Sequence, residues 1–155
     1  MNRTLASICV ALVFGAMLTL PAGCSSCRLP AGPPITVPPV NATPEAVVKA
    51  YLAAVIARDT KAARTLTTPK YWEVTASSPD GGLNNWITIQ DVDTGAPIPD
   101  TYEAESYRQV NRVYVDFTLR QCEEMTWQNG RIVWSYLLVR NADAERWRIA
   151  SGGLG

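Results

Sequence analysis

Two glutamates and a tyrosine form the clearest pattern in the sequence that could carry out acid–base chemistry. Glu103, Glu105 and Tyr107 are spaced two residues apart, so they would share one face of an extended strand. Two carboxylates and a phenol in an apolar pocket could act as a general acid and base. The same spacing fits the solvated outer face of a strand, which is the interpretation we favour, and no residue is assigned a catalytic role.

Charged residues in the same half of the chain suggest two further kinds of site. Asp91 and Asp93 stand near a glycine, as calcium ligands do, but the other oxygen ligands and the closing glutamate of a calcium loop are missing. Arg112, Asp116 and Arg120 could bind an anion from one strand face, although such residues more often form cross-strand pairs. We therefore expect a turn at the two aspartates, paired charges on the strand and no bound metal.

Three aromatic residues could line a pocket for an apolar ligand. Trp86, Trp134 and Tyr136 lie in segments with the composition of strands, and aromatic side chains supply much of the wall of small-molecule sites. Aromatic residues at strand positions also serve as ordinary core. Both interpretations stay open at this point.

The absence of histidine limits the kinds of catalysis and metal binding that the chain could carry out. The 155 residues include no histidine, which removes the commonest general base near neutral pH and the commonest zinc ligand. Lysine plus arginine number 14, as do aspartate plus glutamate, so there is no basic field to hold a nucleic acid backbone. Hydrophobic residues make up 47% of the chain, enough for the core of one domain.

Residues 1–23 have the features of an export signal. Arg3 precedes an almost wholly apolar run over residues 5–20, which is shorter than the ~20 residues that a membrane-spanning helix needs. Ala22-Gly23-Cys24 resembles the bacterial lipobox, in which the cysteine thiol is acylated and the chain is cut before it. Pro21 departs from the motif, because an aliphatic residue usually stands three positions before the cysteine. The prediction is a protein anchored by lipid at Cys24 to the extracytoplasmic face of the cell membrane. Cleavage near Ala22 with free secretion, or an uncleaved apolar anchor, are the alternatives.

Residues 24–42 are predicted to be the anchored cysteine followed by a linker. Several prolines favour an extended, polyproline-like segment, which could reach roughly 50 Å at ~3.1 Å per residue. Cys27 in this segment and Cys122 could form a disulfide in an oxidising, exported compartment. Two free thiols, or Cys122 as a small apolar filler, are the alternatives.

Helices with clear start signals come next. Thr43-Pro44-Glu45 combines an N-cap with a proline suited to the first helical turn, and an apolar stripe then recurs at helical spacing as far as Arg58. Asp59-Thr60 predicts the start of a second helix, and Thr68-Pro69 predicts the start of a third.

Strand patterns fill the second half of the chain. Alternation of apolar and polar residues over 112–120 predicts a strand with one buried face. Residues 132–139 are apolar on both faces and should form a central or covered strand. Further strands are predicted at 86–89, 102–110 and 146–149, with loops at 77–85, 95–100 and 141–145.

Helices followed by strands predict an α+β fold over residues 43–155, with two or three N-terminal helices packed on a curved antiparallel sheet of four to six strands. The arrangement resembles the nuclear transport factor 2-like (cone-shaped, cystatin-like α+β) superfamily and its bacterial lipoprotein members. The likeness rests on residues 43–52, Arg58-Asp59, Ala62-Ala63-Arg64 and 147–149. It implies a sheet that wraps the long helix and leaves a pocket, but members include both enzymes and binding domains, so it does not select a function.

The sequence therefore predicts an exported, lipid-anchored accessory domain that binds a small apolar ligand or an envelope protein and is not an enzyme. The alternative is a small isomerase- or cyclase-like enzyme with a carboxylate base in the sheet pocket. A third hypothesis is a homodimeric module that pairs through its sheet. No cofactor, metal or nucleic acid partner is expected.

Overall fold

The structure is a computed structural model that describes residues 29–79 and 81–154. The predicted signal (1–23), the predicted lipid-attachment residue Cys24 and the predicted disulfide residue Cys27 lie outside these residues. The described chain is α+β, with three helices and a short helical turn packed on an antiparallel sheet of five strands. The elements are α1 (Pro44–Ala57), α2 (Thr60–Thr65), α3 (Pro69–Ser77), α4 (Gly82–Asn85), β1 (Trp86–Thr94), β2 (Ile98–Pro99), β3 (Gln109–Gln121), β4 (Gly130–Arg140) and β5 (Arg148–Leu154).

Helix α1 begins and ends where the sequence predicts. The Thr43 hydroxyl accepts from the backbone N–H of Ala46 at 3.4 Å, and Pro44 occupies the first turn. Arg58 ends the helix in the left-handed conformation at φ 60°. Its guanidinium donates to the carbonyls of Val55 and Trp86, which joins the helix end to the start of β1. The predicted apolar stripe is buried: Val47, Val48, Tyr51, Leu52 and Val55.

The two following helices also begin at their predicted caps. The Asp59 carboxylate accepts from the backbone N–H of Ala62 at 2.9 Å, and the Thr68 hydroxyl accepts from that of Tyr71 at 3.3 Å. The loop predicted for residues 77–85 is wrong at its end, where the helical turn α4 forms. Asn85 in this turn is buried and hydrogen-bonded, which holds the turn against the sheet.

The sheet has the order β1-β3-β4-β5, and β2 pairs with the other end of β3 on the β1 side. The alternation predicted over 112–120 is confirmed, because the apolar residues of β3 face the helices and are buried. Strand β4 lies between β3 and β5, as its apolar composition predicts. The inward residues of β3 are Val113, Val115, Phe117 and Leu119.

The strand predicted at 102–110 is wrong for most of its length, since β3 begins at Gln109. The Asp100 carboxylate accepts from the backbone N–H of Tyr102 at 2.7 Å, which starts a turn. Glu103 then takes a positive φ of 70°, and its carbonyl accepts from the N–H of Tyr107 at 3.0 Å. These local hydrogen bonds replace the extended backbone that alternation would need.

Two other strands have different bounds from those predicted. The turn expected at Asp91 and Asp93 is wrong, because β1 continues to Thr94 and passes Asp91, whose φ is 53°, with a register irregularity instead of a turn. The last strand runs from Arg148 to Leu154 instead of over 146–149. Trp147 precedes it and packs beneath the guanidinium of Arg140, 4.4 Å from the ring centroid. The added part of this strand consists mostly of glycine and serine, so it shows no hydrophobic pattern in the sequence. Its backbone nevertheless pairs with β4.

The segment predicted as a free spacer is folded back onto the domain from Gly32 onward. The N–H of Gly32 donates to the carbonyl of Ala57 at 2.8 Å, and the N–H of Ile35 donates to the Asp59 carboxylate at 2.9 Å. Ile35 and Val37 pack against the main core. We call residues 32–38 the strap. The extended, free conformation predicted for the linker is therefore wrong from Gly32 onward.

Across residues 29–79 and 81–154, no helix combines the length and the apolar character required to cross a bilayer.

Candidate functional site

A cavity of about 330 Å³ lies between the helices and the sheet. Its volume falls at the lower end of the range of about 300–1,000 Å³ that small-molecule sites occupy. Helices α1 and α3, the α4 turn, strands β1, β4 and β5, and the connection between β3 and β4 all contribute to its wall. We call it the aromatic cavity, after six of its lining residues: Tyr51, Tyr71, Trp86, Trp127, Trp134 and Tyr136.

Strand β4 and helix α1 supply adjoining parts of the wall. Trp134 and Tyr136 are two residues apart in β4, so their side chains point to the same face of the sheet. Tyr51 of α1 meets Tyr136 edge to face, with ring centroids 5.7 Å apart and planes at 75°. This is a favourable geometry for two aromatic rings, so the helix and the strand fix each other's side chains.

A buried amide network holds the connection that carries Trp127. Gln121 donates from Nε2 to the carbonyl of Trp127 at 2.5 Å, and its Oε1 accepts from Asn85 Nδ2 at 3.1 Å. Asn85 also exchanges hydrogen bonds with the backbone of Glu123, at 2.8 and 3.0 Å. Both amide side chains are buried. The network therefore positions Trp127 from residues on β3 and α4.

Three tyrosine hydroxyls lie in the wall, and burial keeps them neutral. Desolvation raises the pKa of Tyr51 to about 12. The pKa values of Tyr71 and Tyr136 are also well above the ordinary tyrosine value, again chiefly because of burial. No aspartate, glutamate, lysine or arginine lines the cavity among the described residues. The described wall thus carries no charge near neutral pH.

Two indole N–H donors in the wall have no hydrogen-bond partner. The Nε1 atoms of Trp86 and Trp134 are buried and unpaired in the described part of the chain. A buried donor left unpaired costs about 1–3 kcal/mol. These two donors therefore cost stability, and neither atom is exposed to the open space of the cavity.

Gly152 of β5 packs closely against the cavity wall. A methyl group placed on Gly152 would lie 2.7 Å from Tyr71 Oη, 2.8 Å from Trp134 Nε1 and 3.0 Å from Tyr136 Cε1. These are clashes for a carbon atom, so only glycine fits without displacing the wall. The neighbouring Gly153 would meet nothing within 4 Å.

The structure brings together the three aromatic residues that the sequence offered as ligand-binding candidates. Trp86, Trp134 and Tyr136 all line the aromatic cavity, while their binding of a ligand stays a prediction. Sequence reasoning missed Tyr51, Tyr71, Trp127 and Gly152. The signal for Trp127 was a large aromatic residue within a mostly polar connection.

The three residues predicted as acid–base candidates do not line the aromatic cavity. Glu103 and Glu105 lie in the turn before β3, half-buried and exposed respectively, and neither lines the aromatic cavity. Tyr107 packs on the opposite side of the sheet, against a second apolar cluster that contains Val110 and Leu137. The turn therefore covers part of the outer sheet face and does not bring the two carboxylates into the pocket.

Two of the three charged residues predicted on the outer face of β3, Arg112 and Asp116, are paired. Arg112 donates to the Asp100 carboxylate at 2.7 Å, and Arg131 of β4 binds the Asp116 carboxylate with its guanidinium. Arg120 is exposed. Within the described ranges, no cluster of three or more acidic, cysteine or histidine side chains could hold a metal, so Asp91 and Asp93 do not form part of one.

Cys122 follows directly after β3, and its backbone N–H donates to the carbonyl of Asn85 at 2.8 Å. Its side chain is disulfide-bonded. The predicted partner, Cys27, lies outside the described residues, so the pairing of these two cysteines stays a prediction.

Comparison with protein-family models and with curated proteins finds no match. Among solved structures, the chain is similar to the solution structure of a SEC-C motif containing protein from Rhodopseudomonas palustris. The two are 16% identical, with a TM-score of 0.48 over 76% of this chain and 82% of the other. A likeness of this extent carries no argument about function, so the function must be argued from the geometry of the aromatic cavity.

Proposed function

We propose that this protein is an exported, lipid-anchored binding protein that holds a small apolar molecule in the aromatic cavity and is not an enzyme. We further propose that its sheet is curved around α1 as in nuclear transport factor 2-like domains, and that acylated Cys24 holds it on the extracytoplasmic face of the membrane.

The observation that carries the binding proposal is the composition of the cavity wall. Six large aromatic residues surround about 330 Å³ of space, and aromatic walls bind apolar surface well.

The described wall favours binding over catalysis. General acid–base catalysis needs a group whose pKa lies near the working pH. Burial raises the pKa values of the three wall tyrosines instead. The carboxylates of Glu103 and Glu105, on which the enzymatic alternative depends, do not border the cavity. The enzymatic alternative therefore has no candidate base among the described wall residues.

The uncharged probe N-phenyl-1-naphthylamine, which fluoresces in apolar surroundings, tests the proposal by titration. We expect saturable binding of one probe per chain to the wild type. Gly152→Ala should abolish it, because the added methyl group would displace Tyr71, Trp134 and Tyr136 in the cavity wall. Gly153→Ala is the matched control and should bind like the wild type, because its methyl group meets nothing. Equal binding by all three proteins would place the probe elsewhere and contradict the proposal.

The anchoring proposal has a separate test. Intact mass after expression in a bacterial host should show a diacyl-type increment that Cys24→Ala removes. A chain cut near Ala22 without an increment would instead indicate free secretion.

A further inference from the structure

The disulfide of Cys122 joins the end of β3 to the N-terminal segment. Cys122 is disulfide-bonded, and the other three cysteines of the chain are Cys9, Cys24 and Cys27. The proposed processing removes Cys9 with the export signal and uses the thiol of Cys24 for acylation. Within one chain, Cys27 is then the remaining partner for Cys122.

The strap enters the domain at the same end, by contacts that do not involve the disulfide. The N–H of Gly32 donates to the carbonyl of Ala57 at 2.8 Å, at the C-terminal end of α1. Arg58, the next residue, donates to the carbonyl of Trp86. Trp86 in turn pairs with Gln121, the last residue of β3. The start of the strap is therefore linked by direct contacts to the end of β3 that carries the disulfide.

The length of chain before the disulfide limits how far the anchor can be from the domain. Cys24 stands three residues before Cys27, and three residues reach at most about 11 Å. A disulfide holds its two Cα atoms within about 7 Å of each other. The Cα of Cys24 would therefore lie within about 18 Å of that of Cys122. Because β3 spans 13 residues, or roughly 40 Å, the opposite end of the sheet lies much farther from the anchor.

The surface at the anchored end includes apolar side chains beside the aromatic cavity. Val74 of α3 is exposed, as is Met125 in the connection between β3 and β4. Val74 and Trp127 both line the aromatic cavity, and tryptophan is enriched where proteins meet the membrane surface. Glu123 and Glu124 are also exposed in this connection, so the surface suits a zwitterionic bilayer better than an anionic one.

We infer that the disulfide between Cys27 and Cys122 orients the anchored domain, so that the Trp127 side of the aromatic cavity lies at the surface of a zwitterionic bilayer. This inference rests on the proposed acylation of Cys24. Without the disulfide, the eight residues from Cys24 to Gly32 could reach up to about 29 Å and leave the domain free to turn. With it, the cavity is held beside the bilayer, into which apolar molecules partition from water.

Two tryptophans at opposite ends of the sheet can report this orientation. The carbonyl of Trp127 accepts from Gln121, at the end of β3. Trp147 packs beneath Arg140, which pairs with Gln109 at the start of β3. The inference therefore places Trp127 near the bilayer and Trp147 away from it.

The acylated full chain, placed in phosphatidylcholine nanodiscs that contain some gadolinium-headgroup lipid, tests the orientation. The gadolinium broadens the signals of protons close to the bilayer, and a two-dimensional ¹H–¹⁵N spectrum resolves the indole N–H groups. We expect the Trp127 signal to be lost and the Trp147 signal to keep its intensity. Intact mass of the same sample establishes whether Cys24 is acylated.

Substitution of the two cysteines assigns the orientation to the disulfide. The double variant Cys27→Ser, Cys122→Ser keeps the acylation residue Cys24 but cannot form the bond, so the difference between the Trp127 and Trp147 signals should disappear. Ser26→Ala is the matched control, because it changes the same segment and leaves both cysteines in place. It should give the wild-type pattern.

The outcomes separate this inference from the proposed function. If Cys24 is acylated but Trp147 is broadened as much as Trp127, the orientation is overturned while the anchor and the binding function stand. A wild-type pattern in the double variant overturns the role of the disulfide in the same way. If Cys24 carries no acyl group, the anchoring proposal fails and the inference fails with it. The comparison of the two signals in the wild type decides the orientation even if the double variant folds poorly.

Discussion

The indole rings of Trp127 and Trp134 meet edge to face, with centroids 5.1 Å apart and planes at 84°. Trp134 lies in β4, whereas Trp127 lies in the connection that leads into that strand. The contact therefore fixes a surface connection against the sheet and completes one side of the aromatic cavity. A pair of this kind contributes about 0.5–1.5 kcal/mol beyond the area it buries.

Removal of Trp127 should open the cavity. We expect Trp127→Ala to weaken binding of N-phenyl-1-naphthylamine by at least about tenfold, because both wall area and the ring contact are lost. Fluorescence titration measures the change. Met125→Ala lies in the same connection, where Met125 is exposed, and should bind as the wild type does. An equal loss in both variants would mean that binding depends on the conformation of the connection and not on the Trp127 ring itself.

The amide network beneath Trp127 should contribute to stability. Asn85→Ala removes the partner of Gln121 Oε1 and those of the backbone N–H and carbonyl of Glu123, so the free energy of unfolding should fall by about 2–3 kcal/mol. Urea unfolding followed by circular dichroism measures it. Asn84→Ala changes an exposed residue in the same helical turn and should cost less than about 1 kcal/mol. Similar losses from both variants would mean that the amide network makes no specific contribution to stability.

The strap should depend on one carboxylate. Asp59 caps α2 through Ala62 and also accepts from the N–H of Ile35. Asp59→Ser keeps an N-cap, but serine is too short to reach Ile35 as well. Hydrogen exchange of the Ile35 amide should become about tenfold faster, as expected for the loss of one hydrogen bond, while the Ala62 amide stays protected. An unchanged Ile35 amide would mean that packing alone holds the strap.

Stability should fall in acid partly through Asp100. The backbone N–H of Tyr102 and the guanidinium of Arg112 hold the pKa of Asp100 below its usual range. The folded pKa is thus lower than the unfolded value of about 3.9, so the stabilisation is present above that value and is lost as the pH falls through the folded pKa. The difference in unfolding free energy between wild type and Asp100→Asn should shrink below about pH 4. Urea unfolding over a pH series tests this, and a constant difference would contradict it.

Local signals predicted much of this fold. The caps at Thr43, Asp59 and Thr68 place three helix starts, because each cap satisfies backbone donors within its own turn. Alternation likewise predicts β3, because a half-buried strand must alternate. The turn at Glu103 was missed because alternation alone does not distinguish a strand from a turn held by the Asp100 carboxylate.

The cavity and the strap were harder to predict because distant residues create them. Ile35 is held by Asp59, 24 residues away, and Arg146 donates to the carbonyl of Pro38 across 108 residues. Neither contact can be predicted from a local sequence pattern. Trp86, Trp134 and Tyr136 were found as candidates by residue type, but their meeting with Tyr51 depends on how α1 packs on the sheet.

The central claim is that the aromatic cavity binds an apolar ligand, and the tryptophan side chains report on it directly. The chain has five tryptophans, and Trp86, Trp127 and Trp134 line the cavity while Trp72 and Trp147 do not. A two-dimensional ¹H–¹⁵N spectrum resolves each indole N–H during titration with 2-naphthol. The account predicts that the three cavity signals shift in step and saturate, that the other two stay in place, and that Gly152→Ala removes the shifts. Equal movement of all five signals, or of Trp72 and Trp147 alone, would contradict it.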